Sequence, residues 1–158
     1  MSVALDTTVR IRRAQPSDRA FLARLAHAAF SDFDPRAREH TLESIAAAGA
    51  ITLVALRGDE PIGFGVLEFG RSQAALQAIA VEPRERGHGI GGRLMHAVEH
   101  AARKQGAASL RLCTAQANVE ALALFIKHGF RIERRMLRFY PNGQDACMLT
   151  KSVLVDGA

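Results

Sequence analysis

The chain reads as an α/β fold on a mixed sheet, antiparallel at both ends with one parallel step in the middle. Three observations predict it. Two stretches with apolar residues at helical spacing separate a short N-terminal strand pattern from three more, "ITLVALR", "IGFGVLEF" and "QAALQAIAVEP", joined by tight turns. A glycine-rich turn then opens a helix followed by a further strand pattern, the order of a crossover between parallel neighbours. Finally, "FRIERRMLRFY" and "DACMLTKSVLV" flank "PNGQ" and read as a closing hairpin.

Taken in order, "VRIRRA" alternates apolar and basic residues as a strand does. Pro16 with two capping candidates, Ser17 and Asp18, starts a helix expected to reach about Phe30, its apolar face formed by Leu22, Leu25, Ala26 and Ala29. A second helix is expected from about Pro35 to Ala48, stopped by Gly49. The three strands from Ile51 to Pro83 form an antiparallel meander. In the helix after the glycines, Leu94, Val98 and Ala101 share a face, Arg103 and Lys104 sit near the negative C-terminal end, and Gly106 ends it. "ASLRLCTA" is the next strand. Asn118 to His128 forms a last helix closed by Gly129, with Leu122, Phe125 and Ile126 on its buried side.

At 158 residues and 48% apolar, residues 1–158 suit a single domain with one core. No apolar run approaches the roughly 20 residues a membrane span requires, and "MSVALDTTVRIRR" lacks the layout of a signal peptide. A cytoplasmic protein is expected. Cys113 and Cys147 make neither a metal-type spacing nor a disulfide framework, so no metal is expected. The 21 Lys+Arg against 16 Asp+Glu favour an anionic partner, such as a phosphorylated ligand, an acidic peptide or nucleic acid. Nucleic acid ranks lowest, because the charge excess is modest and only Phe139 and Tyr140 stand among the arginines as stacking aromatics. The arginine clusters at Arg10, Arg12, Arg13 and at Arg131, Arg134, Arg135, Arg138 read as solvated strand faces.

"RERGHGIGGRLM" carries Gly87, Gly89, Gly91 and Gly92 directly before a helix. A helix N-terminus presents unpaired N–H groups and a partial positive charge, and glycines let backbone approach an anion with no Cβ in the way. A tight turn alone would explain one or two of these glycines, so a phosphate cradle is the stronger reading. "GHGIGG" satisfies the dinucleotide pattern G-x-G-x-x-G, but the acidic residue required about 20 positions on is missing near Leu112 to Thr114. A Walker P-loop is excluded, because no Lys-Ser/Thr pair follows the glycines.

From Arg86, "RGHGIG" satisfies R-x-x-G-x-G. The segment "LQAIAVEPRERGHGIGGRLM" resembles the acetyl-CoA-binding core of the GNAT superfamily of N-acetyltransferases. "NVEALALFIKHGF" resembles that family's later helix, and "RFYPNGQDACML" resembles the end of the ribosomal-protein-alanine and related protein N-terminal acetyltransferases. The resemblance implies the GNAT fold, with helices on both faces of the sheet. It also implies acetyl-CoA as co-substrate, with its pyrophosphate on the backbone of Arg86, Gly87, His88, Gly89 and Gly91 and on Gly92 at the helix start. Ile79 and Val81 would pair with the pantetheine arm, a backbone N–H there polarising the thioester carbonyl. Asn118 would contact the pantetheine side, although a helix N-cap explains it equally. Phe125, counted by the resemblance among the coenzyme-binding residues, stands where many members carry a tyrosine acid, and Cys113 and Gln77 stand where others carry a base.

These departures shape the expected chemistry. A thiol of pKa about 8.5 leaves tolerably without a dedicated acid. An α-amine of pKa about 7.7 to 8.0 is appreciably neutral near pH 7.5, whereas a lysine is neutral to about one part in a thousand. The expected activity is therefore acetyl transfer from acetyl-CoA to a primary amine by direct attack in a ternary complex, with a protein or peptide N-terminus as favoured acceptor. A small amine is the runner-up, and a non-catalytic acyl-CoA-binding module is the alternative from another class. Glu68 is the candidate base, acting through water, and Tyr140 the candidate acid. Cys113 reads as a small buried strand residue and not a nucleophile, and His88 and His128 as non-catalytic. Exposed sheet edges leave a homodimer open.

Overall fold

A computed structural model describes residues 8–154. Strand β1 (Val9–Arg13) leads through a 3₁₀ turn at Pro16–Asp18 into α1 (Arg19–Phe30). The Asp18 carboxylate accepts hydrogen bonds from Arg12 at 2.7 and 3.2 Å and from the Gln15 backbone N–H at 2.7 Å. Capping is thus turned backwards: Asp18 holds the strand and turn before the helix, and no α1 amide. Arg12 is correspondingly no solvated strand residue, since it anchors β1 to the start of α1.

Helix α2 (Ala37–Ala46) is shorter at both ends than expected. Asp34 Oδ1 accepts from the Arg36 N–H at 2.9 Å, a turn that delays the helix start, and Ala47 is already extended. Strands β2 (Ile51–Arg57), β3 (Glu60–Phe69) and β4 (Gln73–Val81) form the expected antiparallel meander. Helix α3 (Ile90–Lys104) crosses to β5 (Ser109–Ala115), which runs parallel to β4. Helix α4 (Val119–Lys127) precedes β6 (Arg131–Met136) and β7 (Ala146–Ser152). The sheet order is β1-β2-β3-β4-β5-β7-β6: β7 inserts between β5 and β6, antiparallel to both, and β6 becomes the outer edge.

Helices cover both faces. On one, Leu22, Leu25 and Ala26 of α1 pack on Val54, Leu56, Phe64, Val66, Ala78 and Ala80. On the other, Met95, Val98 and Ala102 of α3 and Phe125 of α4 pack on Leu67, Leu76, Leu110, Leu112 and Leu149. Gly63 sets how closely α3 approaches β3: a Cβ there would lie 3.0 Å from the Ala80 carbonyl oxygen and 3.1 Å from Leu94. Ile126, expected inside, is 52% exposed, because the short α4 fully buries only the position of Phe125, against Phe130.

The closing hairpin also departs from expectation. Strand β6 stops at Met136, and residues 137–145 form the connection. Its start is fixed by the Arg138 N–H donating to Asp145 Oδ1 at 2.9 Å, its tip by the Gly143 N–H donating to the Tyr140 carbonyl at 2.8 Å. "RFY" therefore belongs to the loop. Val155, the last residue of the expected final strand, lies outside the described residues. Among the described residues, no helix is long and apolar enough to cross a membrane.

Candidate functional site

Strands β4 and β5 begin as partners and then separate. Their pairing runs from Gln73 opposite Ser109 to Leu76 opposite Leu112. The next β4 residue, Gln77, is an exposed bulge: β3 pairs Leu67 with Leu76 and Val66 with Ala78, skipping it. Beyond the bulge β4 keeps β3, with Ile79 opposite Gly65 and Val81 opposite Gly63, while β5 keeps β7, with Cys113 opposite Met148. The β5-facing backbone of residues 77–81 is left without a ladder partner. An extended ligand arm bearing amides can occupy such a gap as an added strand.

At the end of β4, the 3₁₀ turn Pro83–Glu85 is held by Arg57 Nη2 on Glu85 Oε2 at 2.8 Å and by Arg84 on Glu60. Arg57 keeps the Glu85 carboxyl below the usual carboxylate range. Buried Glu82 pairs with Arg24 of α1. The chain then passes Gly87 and Gly89 at φ +81° and +78°, conformations that side chains rarely adopt. Among the described residues, the backbone N–H groups of Gly87, His88, Gly89, Ile90, Gly91 and Gly92 donate no hydrogen bond; the first helical bond runs from Arg93 N–H to Gly89 O at 3.1 Å. Six successive free amides at a helix start form a cradle suited to a pyrophosphate.

Gly91 and Gly92 have a further purpose that the sequence reading did not assign. A Cβ on Gly91 would lie 3.4 Å from Leu124, and one on Gly92 would lie 3.2 Å from His128 Nε2. These two glycines let α4 close on α3. Arg86 and His88 are exposed on the loop, and His88 Nδ1 lies 3.3 Å from the Glu85 carbonyl oxygen.

Across the sheet, the α1–α2 connection meets the β6–β7 connection. Asn142 Nδ2 donates to the Asp32 carbonyl at 2.8 Å, and the Phe33 and Tyr140 rings stand 5.8 Å apart. Burial first, then the nearby Cys113 and Cys147, pushes the Tyr140 hydroxyl up to about 12, so it holds its proton at neutral pH. Burial likewise raises the Cys113 thiol, against the opposing pull of Arg111 and Arg134. A neutral thiol is a poor nucleophile. Gln144 Oε1 is buried and, among the described residues, has no hydrogen-bond partner.

Glu68 is half-buried, opposite Ala75, and alternates with Phe64 and Val66 onto the α1–α2 face. It lies about 17 Å of strand from Gly63, whose partner Val81 leads into the glycine loop. No hydrogen bond or ion pair joins Glu68 to Tyr140. Ile79 and Val81 flank the gap, packed toward α3. Asn118 Oδ1 accepts from the Ala121 N–H at 3.2 Å, the N-cap bond, while its NH₂ group has no partner among the described residues. Phe125 is 4% exposed with its ring 6.0 Å from Phe130, spent mainly on the core. The Gln77 bulge was detectable in retrospect: Leu76 and Ile79 pack on one face although three residues apart, a break in strand alternation. Asn142, Phe33 and Gln144 had no such signal.

The sequence pattern of the Acetyltransferase (GNAT) family matches residues 19–130. The uncharacterized N-acetyltransferase YjcF of Bacillus subtilis is 32% identical over 80 residues, 51% of this chain and 55% of that protein, so the match spans about half of that relative. Ard1 from Thermoplasma volcanium superposes with a TM-score of 0.81 at 26% identity, over 93% of this chain and 99% of that one. The ribosomal-protein-S18-alanine N-acetyltransferase from Escherichia coli shares the fold with a TM-score of 0.79 at 23% identity, over 95% and 97%. The family pattern runs from the start of α1 through the glycine cradle to Phe130, and on it the chain belongs to the GNAT acetyltransferase family.

Proposed function

We propose that the chain transfers an acetyl group from acetyl-CoA to a primary amine, with a protein or peptide N-terminus as the preferred acceptor. The observation that carries the coenzyme assignment is the run of free amides from Gly87 to Gly92 beside the unpaired stretch of β4. On this reading the pyrophosphate rests on those amides, and the arm lies along Ile79 and Val81 with Asn118 at its other side. The acceptor enters between the α1–α2 and β6–β7 connections.

The neutral amine attacks the thioester carbonyl carbon, forming the C–N bond while a backbone N–H of β4 stabilises the developing oxyanion. The C–S bond then breaks with its electron pair on sulfur, and the Tyr140 hydroxyl, still protonated at neutral pH, donates a hydrogen bond to the departing thiolate, which takes its proton from water. The amine proton leaves through water toward Glu68. The N-terminal preference rests on the tail "RFYPNGQDACML" and on the absence of a strong base beside the gap, which suits an amine that is already partly neutral. CoA-thiol release should therefore occur with free-N-terminus peptides and fail with N-blocked, lysine-containing versions of the same peptides. Turnover restricted to polyamines or aminoglycosides would overturn the acceptor, and coenzyme binding without turnover on the whole panel would overturn the enzyme.

A further inference from the structure

Strands β5, β7 and β6 turn one face toward α3 and α4 through Leu110, Leu112, Cys147 and Leu149. Helices α1 and α2 pack on β3 and β4, leaving the opposite face of these three strands accessible. Register places Arg111, Thr150 and Arg131 in one row across that face and Cys113, Met148 and Arg134 in the next. Arg111, Arg131 and Arg134 are exposed, and among the described residues none has an ion-pair or hydrogen-bond partner. By contrast, Arg10, Arg12, Arg24, Arg36, Arg57 and Arg84 each reach a carboxylate. The only acidic residue in the three strands is Glu133, at the β6 bulge. This basic face leads into the β6–β7 connection: β6, which carries Arg131 and Arg134, ends at Met136, four residues before Tyr140 beside Phe33.

We infer that this face selects acceptors by charge, with Arg111, Arg131 and Arg134 binding acidic side chains that follow the acetylated amine. The inference rests on the peptide-acceptor reading above and narrows it to acidic N-terminal segments. From Cys113 across β7 to Arg134 is about 10 Å of strand spacing, which an extended peptide covers in about three residues. Carboxylates at roughly the second to fourth positions of the acceptor fall within reach. Guanidinium groups bind them by charge-assisted hydrogen bonds, weakened by salt because the face is open.

The test compares kcat/KM for three peptides with one shared first residue and Asp/Glu, Asn/Gln or Lys at the next three positions, at low and high salt. The acidic peptide is expected to exceed the neutral one about tenfold, the basic one to fall below both, and the differences to shrink in high salt. The R131E/R134E variant, changed only at exposed positions, should reverse the order in favour of the lysine peptide, with its Tm read alongside. The salt series on the unaltered protein needs no variant to fold. Equal rates for the three peptides would overturn the charge selection while leaving the N-terminal reading in place; turnover of small amines alone would overturn both. An acidic preference that persists in R131E/R134E and in R111E would also overturn it, as would salt-sensitive oligonucleotide retention, lost in R131E/R134E, without a peptide preference.

Discussion

On the β4 side of the molecule, the groups offered to a ligand are main-chain amides: six at the glycine loop and the unpaired backbone after Gln77. On the β6–β7 side they are side chains: Tyr140 and Gln144 of the connection and the exposed arginines of β5 and β6. The first region is fixed by backbone conformation, so glycine and a bulge decide it. The second is fixed by which loops meet, through contacts such as Asn142 on Asp32, 110 residues apart in sequence. A recurrent coenzyme can thus be recognised by a local pattern, while the acceptor depends on residues that no local pattern announces.

The strongest way to break this comparison is Gly89→Val. A β-branched residue at φ +78° is strained, and acetyl-CoA affinity measured by calorimetry should drop about thirtyfold, roughly 2 kcal/mol. Unchanged affinity would mean that the loop conformation does not carry recognition. Next comes the anchor at the start of α1, where Asp18 holds Arg12. The Arg12 hydrogen bond, opposed by burial and aided by the Gln15 N–H, holds the Asp18 carboxyl below its ordinary value. Its stabilisation is therefore complete above the unfolded pKa of about 4 and is lost as pH falls through the lower folded value. Asp18→Asn should cost about 1.5 kcal/mol at pH 7, and its Tm deficit should close in acid. A deficit independent of pH would assign the loss to packing. The smallest effect is expected for Tyr140→Phe, about tenfold in kcat with the KM for acetyl-CoA little changed, because a thiolate needs only modest help to leave. A rise in the coenzyme KM instead would mean that the two regions are not separable.

The sequence exposed the first region far better than the second. The strands along the chain, the parallel step and the glycine loop follow from glycine placement and period-two patterns, which are local; the insertion of β7 between β5 and β6 does not. The β6–β7 connection was misread because "PNGQ" marks a turn correctly but says nothing of Arg138 bonding to Asp145, which ends pairing early. The α2 boundaries failed for a similar reason, an aspartate turn at Asp34 competing with helix propensity. Ile126 was placed inside by spacing alone, yet a helix at the margin of the sheet has too little neighbouring surface to cover it. Glu68 and Tyr140 were chosen by residue type; Glu68 lies on β3 opposite Ala75 and Tyr140 in the β6–β7 connection beside Phe33, with no hydrogen bond between them.

The parting of β4 from β5 leaves an open seam inside the sheet, flanked by strands that are otherwise fully paired. A coenzyme lying in that seam would stitch it shut and bind only the folded chain, so by mass action it would add about 2.7 kcal/mol of stability at a hundredfold excess over its Kd. The protein's persistence would then follow its acyl donor: sturdy when acetyl-CoA is plentiful, and more open to unfolding and proteolysis when the donor is scarce.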